Sequence, residues 1–282
     1  MDEHIVEAVG RTRVTIRNGE VVSVEAPVIS RCPLARRFAF PVDEITPDAV
    51  RENVNNRIRS FGMCTPDREL SSTDDFVGFG ASELAGTGLS AGIIDAAVIA
   101  CDGAGTVVVT APEMVQGIGG RMSGLVKTSP LQAVISGITT RGGIVADPDQ
   151  ASLDPVAGVT AARRAGYTRL LVTVGSADDA EAVRAGDPDS LIIVVHTTGM
   201  TAADASRVAA VADIVTACAS GHVRDVCGKK ALMQAGTTVP VFIMTCRGKE
   251  LLIARIAVLP HPLLVTHAAL PAPGEKRPDP LV

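Results

Sequence analysis

From residue 155 to residue 257 the chain keeps one rhythm, and that rhythm restricts the fold more than any other feature. Short apolar runs at 169–175, 191–196, 213–218 and 239–245 alternate with helical segments at 155–165, 177–185, 201–212, 222–235 and 249–257. Strands joined through helices lie parallel, and their crossovers are right-handed. The runs are apolar on both faces, as strands covered on both sides must be. Few other core residues are available. Aromatic residues make up 2% of the 282, with no Trp, against 46% hydrophobic, so the interior is Val, Ile, Leu, Ala and Met.

The first half is less regular. Residues 12–26 alternate apolar and polar around Asn18-Gly19, which reads as a β-hairpin with a type I′ turn. Thr46-Pro47 opens a helix that ends near Phe61-Gly62. A helix over 80–92 runs into a buried strand over 93–101, closed by the tight turn Cys101-Asp102-Gly103-Ala104-Gly105. A strand over 106–110 and a short helix over 112–118, broken by Gly119-Gly120, come next. A further helix starts at Ser129-Pro130 and stops at 141–143. Gly, Pro and Asp crowd 142–155 and mark a boundary. The expected fold is α/β: an N-terminal hairpin-bearing α/β half (1–145), then repeated βα units with a mostly parallel sheet (146–268). A Pro-rich tail (269–282) is expected to be disordered.

Composition removes several function classes. A net charge of −5 supplies no basic field for nucleic acid or anionic lipid, and scarce aromatics leave no base-stacking platform. No apolar run reaches the roughly 20 residues of a membrane helix. The acidic start, Met1-Asp2-Glu3-His4, has no export pattern, so a cytoplasmic chain with reduced cysteines is expected. An apolar chain of this kind is also expected to form a homo-oligomer.

Three strand ends carry chemistry, where parallel sheets bind ligands. In the 101–105 turn, Cys101 and Asp102 offer a thiol and a carboxylate beside Gly103 and Gly105, whose N–H groups can approach an anion; the plain alternative is a tight turn with a buried cysteine. His196-Thr197-Thr198-Gly199 offers an acid–base group at a helix start, or simply a capping turn. Cys218-Ala219-Ser220-Gly221-His222 pairs a thiol with an imidazole, or is a small-residue packing turn. Cys32 and Cys64 lie in proline-marked loops, and there is no Cys-x-x-Cys. A site built from Cys32, Cys64 and Cys101 would give three thiolates with an open position, as an iron–sulfur cluster needs. Gly119-Gly120-Arg121 and Lys127 are further anion-holding candidates.

Long stretches resemble the methanogenesis marker protein 8 family. They include Gly62-Met63-Cys64-Thr65-Pro66-Asp67-Arg68, the 101–106 turn, Gln116-Gly117-Ile118-Gly119-Gly120-Arg121, Val195-His196-Thr197-Thr198-Gly199 and 212–220. The resemblance spans about residues 2–257. It implies a role in the biosynthesis or handling of coenzyme M, a small thiol-sulfonate. The protein would then be a cysteine-dependent enzyme acting on a sulfonated acid or aldehyde, with sulfur transfer as one form of that activity. Cys64, Cys101 or Cys218 would carry sulfur, and His196 or His222 would move protons. Arg68, Arg121 and Lys127 would hold the sulfonate, with Thr197, Thr198 and Ser220 beside it. A carrier or assembly protein for a thiol cofactor or metallocentre would use the same pocket without turnover. The stretch 86–130 is faintly similar to the beta subunit of deazaflavin-reducing hydrogenases, which implies flavin or iron–sulfur redox chemistry as a third reading, though that family's clustered cysteines are missing here.

Overall fold

The computed structural model describes residues 1–122 and 124–282. The hairpin forms as the alternation requires. β1 (His4–Ala8), β2 (Thr12–Arg17) and β3 (Glu20–Val24) are antiparallel neighbours, and Asn18 and Gly19 both take positive φ at the β2–β3 turn. α1 (Pro47–Phe61) is capped by the Thr46 hydroxyl, which accepts the Ala49 N–H at 3.2 Å, and it ends at left-handed Gly62. Its Val50 and Val54 pack with Val6, Val14 and Ile16 of this small sheet.

The large sheet is built from β4 (Ala96–Cys101), β5 (Gly105–Val109), β7 (Ile144–Val145), β8 (Leu170–Val174), β9 (Leu191–Val194), β10 (Ile214–Thr216), β11 (Met233–Ala235) and β12 (Val241–Ile243). Its order is β11-β12-β10-β9-β8-β4-β5-β7. The four central strands β4, β8, β9 and β10 are parallel, and the flanking strands on each side run antiparallel. Both faces are covered. α5 (Pro155–Arg164), α6 (Ala177–Gly186), α7 (Ala202–Val211) and α8 (Gly221–Lys230) bury one face, where Val98, Val172, Ile192 and Val215 point. α2 (Ala81–Ser90), α3 (Pro112–Val115), α4 (Gln132–Thr140) and α9 (Cys246–Val258) bury the other, with Ile99, Leu171, Ile193 and Ile214. Among the described residues no helix is long and apolar enough to cross a membrane.

After α3 the chain makes a π-turn over Gln116–Gly120 and returns to the small sheet as β6 (Gly124–Lys127), beside β1. The small sheet therefore comes from two stretches of chain more than a hundred residues apart.

Several expectations are corrected. The large sheet crosses residue 145, since β4 pairs with β8, so no division between sheets falls at the 145/146 boundary. The Gly- and Pro-rich segment there holds strand β7. The helix expected over 222–235 stops at Lys230, and residues 233–235 instead form β11, turned back onto β12 at left-handed Gly236. The tail over 269–282, expected to be disordered, is tied down by hydrogen bonds to its backbone. The Gln234 side-chain amide pairs both ways with the Ala272 backbone (2.9 and 3.0 Å), and Asp279 bridges to Arg31. Backbone pairing needs no apolar side chains, so composition does not reveal it.

Candidate functional site

The carboxyl ends of the parallel strands lie beneath the small sheet. The small sheet roofs them, leaving a cleft of about 670 Å³. Its floor is Ile99 and Ala100 from β4, Thr173 and Val174 from β8 with Gly175 just past them, Val195 and His196 beyond β9, Thr216 at the end of β10 and Cys218 beyond it. Glu7, Arg11, Arg13, Gly124 and Leu125 face it from the roof. Phe76, Gly80, Ser82, Gly119 and Gly120 form a side wall.

His196 and Cys218 each lie two residues past the end of their strand, and both take positive φ, +57° and +44°. Non-glycine residues in this region are held there by their surroundings, at a cost of about 1–3 kcal/mol each. The surroundings are visible. The Thr197 hydroxyl donates to the Thr216 carbonyl at 2.7 Å, and the Thr198 hydroxyl accepts the Ala219 N–H at 3.3 Å. Arg224 donates to the Cys218 carbonyl at 2.9 Å. The two turns are thus stitched together, and their side chains share one cleft.

The cleft tunes both groups. Crowding by protein lowers the pKa of His196 and favours its neutral form, with Glu7 opposing. Burial raises the Cys218 thiol. The backbone and hydroxyl of Thr197 and the backbone of His196 pull it down, and the neighbouring Cys32 pushes it up. On the roof, Arg11 and Arg13 share one carboxylate, Glu7, at 3.5 and 3.8 Å. Arg11 and Arg13 thus concentrate positive charge on the roof, while Glu83 and Asp179 also line the cleft. α2 opens at Gly80 with no side-chain cap, and the Glu83 carboxylate lies against its start.

Other candidates fall elsewhere. Cys64, Arg68, Cys101 and Asp102 form a buried knot outside the cleft. Arg68 and Asp102 are ion-paired at 3.0 Å with both side chains fully buried, and Asp102 accepts the Cys64 N–H at 2.6 Å. Arg68 is thus engaged by Asp102 and by the Ile118 carbonyl and does not line the cleft. Burial pushes the Cys64 and Cys101 thiols well up, with Asp102 adding to it, and neither lines the cleft. Arg121 pairs with Glu69 and lies over the Phe61 ring, with Arg57 and Arg68 against the same ring. Lys127 pairs with Glu3 on the outer surface. Gly103 and Gly105 take positive φ in the turn, and the Gly103 N–H donates to Thr128. Ser220 caps α8, and His222 is exposed on its first turn, not among the residues lining the cleft.

The cluster ligand set is not assembled. Cys64 and Cys101 flank Asp102, whereas Cys32 neighbours Cys218. Among the described residues no three His, Cys, Asp or Glu side chains are grouped to hold a metal ion. The residues present therefore do not fit the expected cluster. Glu7, Arg11, Arg13 and Ser82 were not legible as site residues, because no local motif marks them. Arg13 reads simply as part of the hairpin over 12–26, and Arg11 falls just before it.

The fold and cleft define a three-layered α/β protein with a roofed cavity at the carboxyl edge of its parallel strands. A family model described as an uncharacterized protein conserved in archaea (DUF2099) matches residues 4–257, and the chain belongs to that family. An uncharacterized protein of Methanocaldococcus jannaschii is 37% identical over 285 residues, covering 100% of both chains. No solved structure matches.

Proposed function

We propose that this chain is a cytoplasmic enzyme acting on a small anionic sulfur compound. Cys218 supplies the thiol, His196 moves protons, and Arg11 and Arg13 hold the anion. The observation that carries this reading is the convergence of a thiol, an imidazole and two guanidinium groups on one cleft. Forked guanidinium donors suit the oxygens of a sulfonate. The resemblance to methanogenesis marker protein 8 supports a sulfonated acid or aldehyde of coenzyme M biosynthesis as the substrate. His196, held neutral, can accept the proton that Cys218 must lose before it reacts. One observation favours a carrier instead. The raised Cys218 stays protonated at neutral pH, which suits binding without turnover.

Calorimetry with sulfoacetaldehyde and 2-mercaptoethanesulfonate tests the reading. Binding is expected, and Arg11→Ala with Arg13→Ala should weaken it at least tenfold, about 1.4 kcal/mol. Conversion that disappears in Cys218→Ser while binding persists identifies an enzyme. Binding without conversion identifies a carrier, and no binding by the unaltered protein removes both.

A further inference from the structure

The C-terminal segment touches the two loops that carry Cys32 and Cys218. The Asp279 N–H donates to the Arg31 carbonyl at 2.9 Å, and the Ser30 and Arg31 N–H groups donate back to the Asp279 carbonyl at 2.9 and 3.0 Å. Three residues on, the Val282 N–H donates to the Ala219 carbonyl at 2.9 Å, and the Gly221 N–H donates to the Val282 oxygen at 3.0 Å. Three residues of chain span at most about 10 Å. With a 2.9 Å hydrogen bond added at each end, the backbone next to Cys32 and the backbone next to Cys218 are held within about 16 Å of one another, and Cys32 is close enough to Cys218 to push its thiol up. Cys32, Ala219 and Val282 also pack in one apolar cluster. Both thiols are free and half-buried. The remaining cysteines are placed differently: Cys64 and Cys101 surround Asp102, Cys227 is on the buried face of α8, and Cys246 is exposed at the start of α9.

We propose that Cys32 and Cys218 are a dithiol pair that undergoes thiol–disulfide exchange with a small anionic disulfide bound in the cleft. The choice of an anionic oxidant rests on the function proposed above; the pairing of the thiols does not. The Cys218 thiolate attacks one sulfur of the small disulfide, whose S–S bond breaks and releases one thiolate. Cys32 then attacks the Cys218 sulfur, forming the Cys32–Cys218 bond and releasing the second small thiolate. The two protons lost by the protein thiols end on the two released thiols. Two protein thiols are oxidised to one disulfide, and the small disulfide is reduced. Cys218 lines the cleft and Cys32 does not, which sets the order of attack.

The test uses the full chain with Cys246→Ser, which removes the exposed thiol. Bis(2-sulfoethyl) disulfide is added at pH 8–9, where more thiolate is present. Released thiol is counted, and linked peptides are mapped by mass spectrometry. The expected result is two small thiols released per chain and a Cys32–Cys218 crosslink. Cys32→Ser should stop at a mixed disulfide on Cys218 with one thiol released, and Cys218→Ser should release none. A mixed disulfide that persists on Cys218 while Cys32 is present overturns the pairing, as does no reaction at all. Neutral 2-hydroxyethyl disulfide should react at least tenfold more slowly; equal rates with the crosslink formed overturn the anionic oxidant and leave the dithiol standing.

Discussion

At Asp102 a carboxylate sits fully buried in the interior, and its neighbours decide its state. Burial alone would raise its pKa. The Arg68 guanidinium and the Cys64 N–H outweigh that and hold the carboxyl below its ordinary range. Removing one partner strands the other charge, so Arg68→Met and Asp102→Asn should each cost about 3–5 kcal/mol, read from urea denaturation. The pH dependence has a definite sign. A depressed carboxylate contributes stability that is complete above the unfolded value, near 3.9, and lost as pH falls through the folded one. The wild-type urea midpoint should therefore drop below about pH 4, and Asp102→Asn should flatten that drop. His4 acts in a higher window. Burial lowers its pKa despite Asp2 and Asp102, so its contribution is complete above about 6.5 and is lost as pH falls below that. Replacing His4 with Gln should reduce the loss of stability between pH 7 and pH 5.

Turns carry the tightest demands among the elements. Gly105, at φ +72°, begins β5, and a Cβ there would stand 2.3 Å from the backbone of Ala151. Gly105→Ala combines left-handed strain with that clash and should cost about 2–4 kcal/mol in thermal or urea unfolding. Gly117 lies within the π-turn, where a Cβ would come 2.4 Å from the Leu70 backbone. These positions explain what could and could not be read beforehand. The βα units from α5 to α9 were legible because each carries its own apolar periodicity. The two-residue hairpin was legible from Asn18-Gly19. Strands β6 and β7 were not, because they are short and pair with strands distant in the chain, and neither were β1 and the three-residue β11, which pair with the adjacent β2 and β12. The Cys101-Asp102-Gly103 turn stood out by composition, but its residues serve a buried ion pair rather than the cleft. His196 and Cys218 were visible as strand-end residues; the guanidinium groups facing them across the cleft were not.

For the whole molecule, the large sheet is one cooperative body. β8 needs β4 as its parallel neighbour, and α5 packs closely on β5, with Gly158 against Thr106 and Val98. A fragment over 146–282 leaves β8 with a bare edge and α5 without its seat. It should show no dispersed amide spectrum by NMR, whereas the full chain should unfold in a single transition.

The roof of the cleft also depends on contacts that reach far along the sequence. Ile5 faces Lys127 across β1 and β6, so that pairing must bring together segments separated by most of the first half. Pairings with such long sequence separation form slowly, since the loop must close before any contact repays it. In refolding, the central βα units should gain hydrogen-exchange protection before β1 and β6 do. The cavity then comes into being at the last step, and partly folded chains carry their thiols without a place to bind anything.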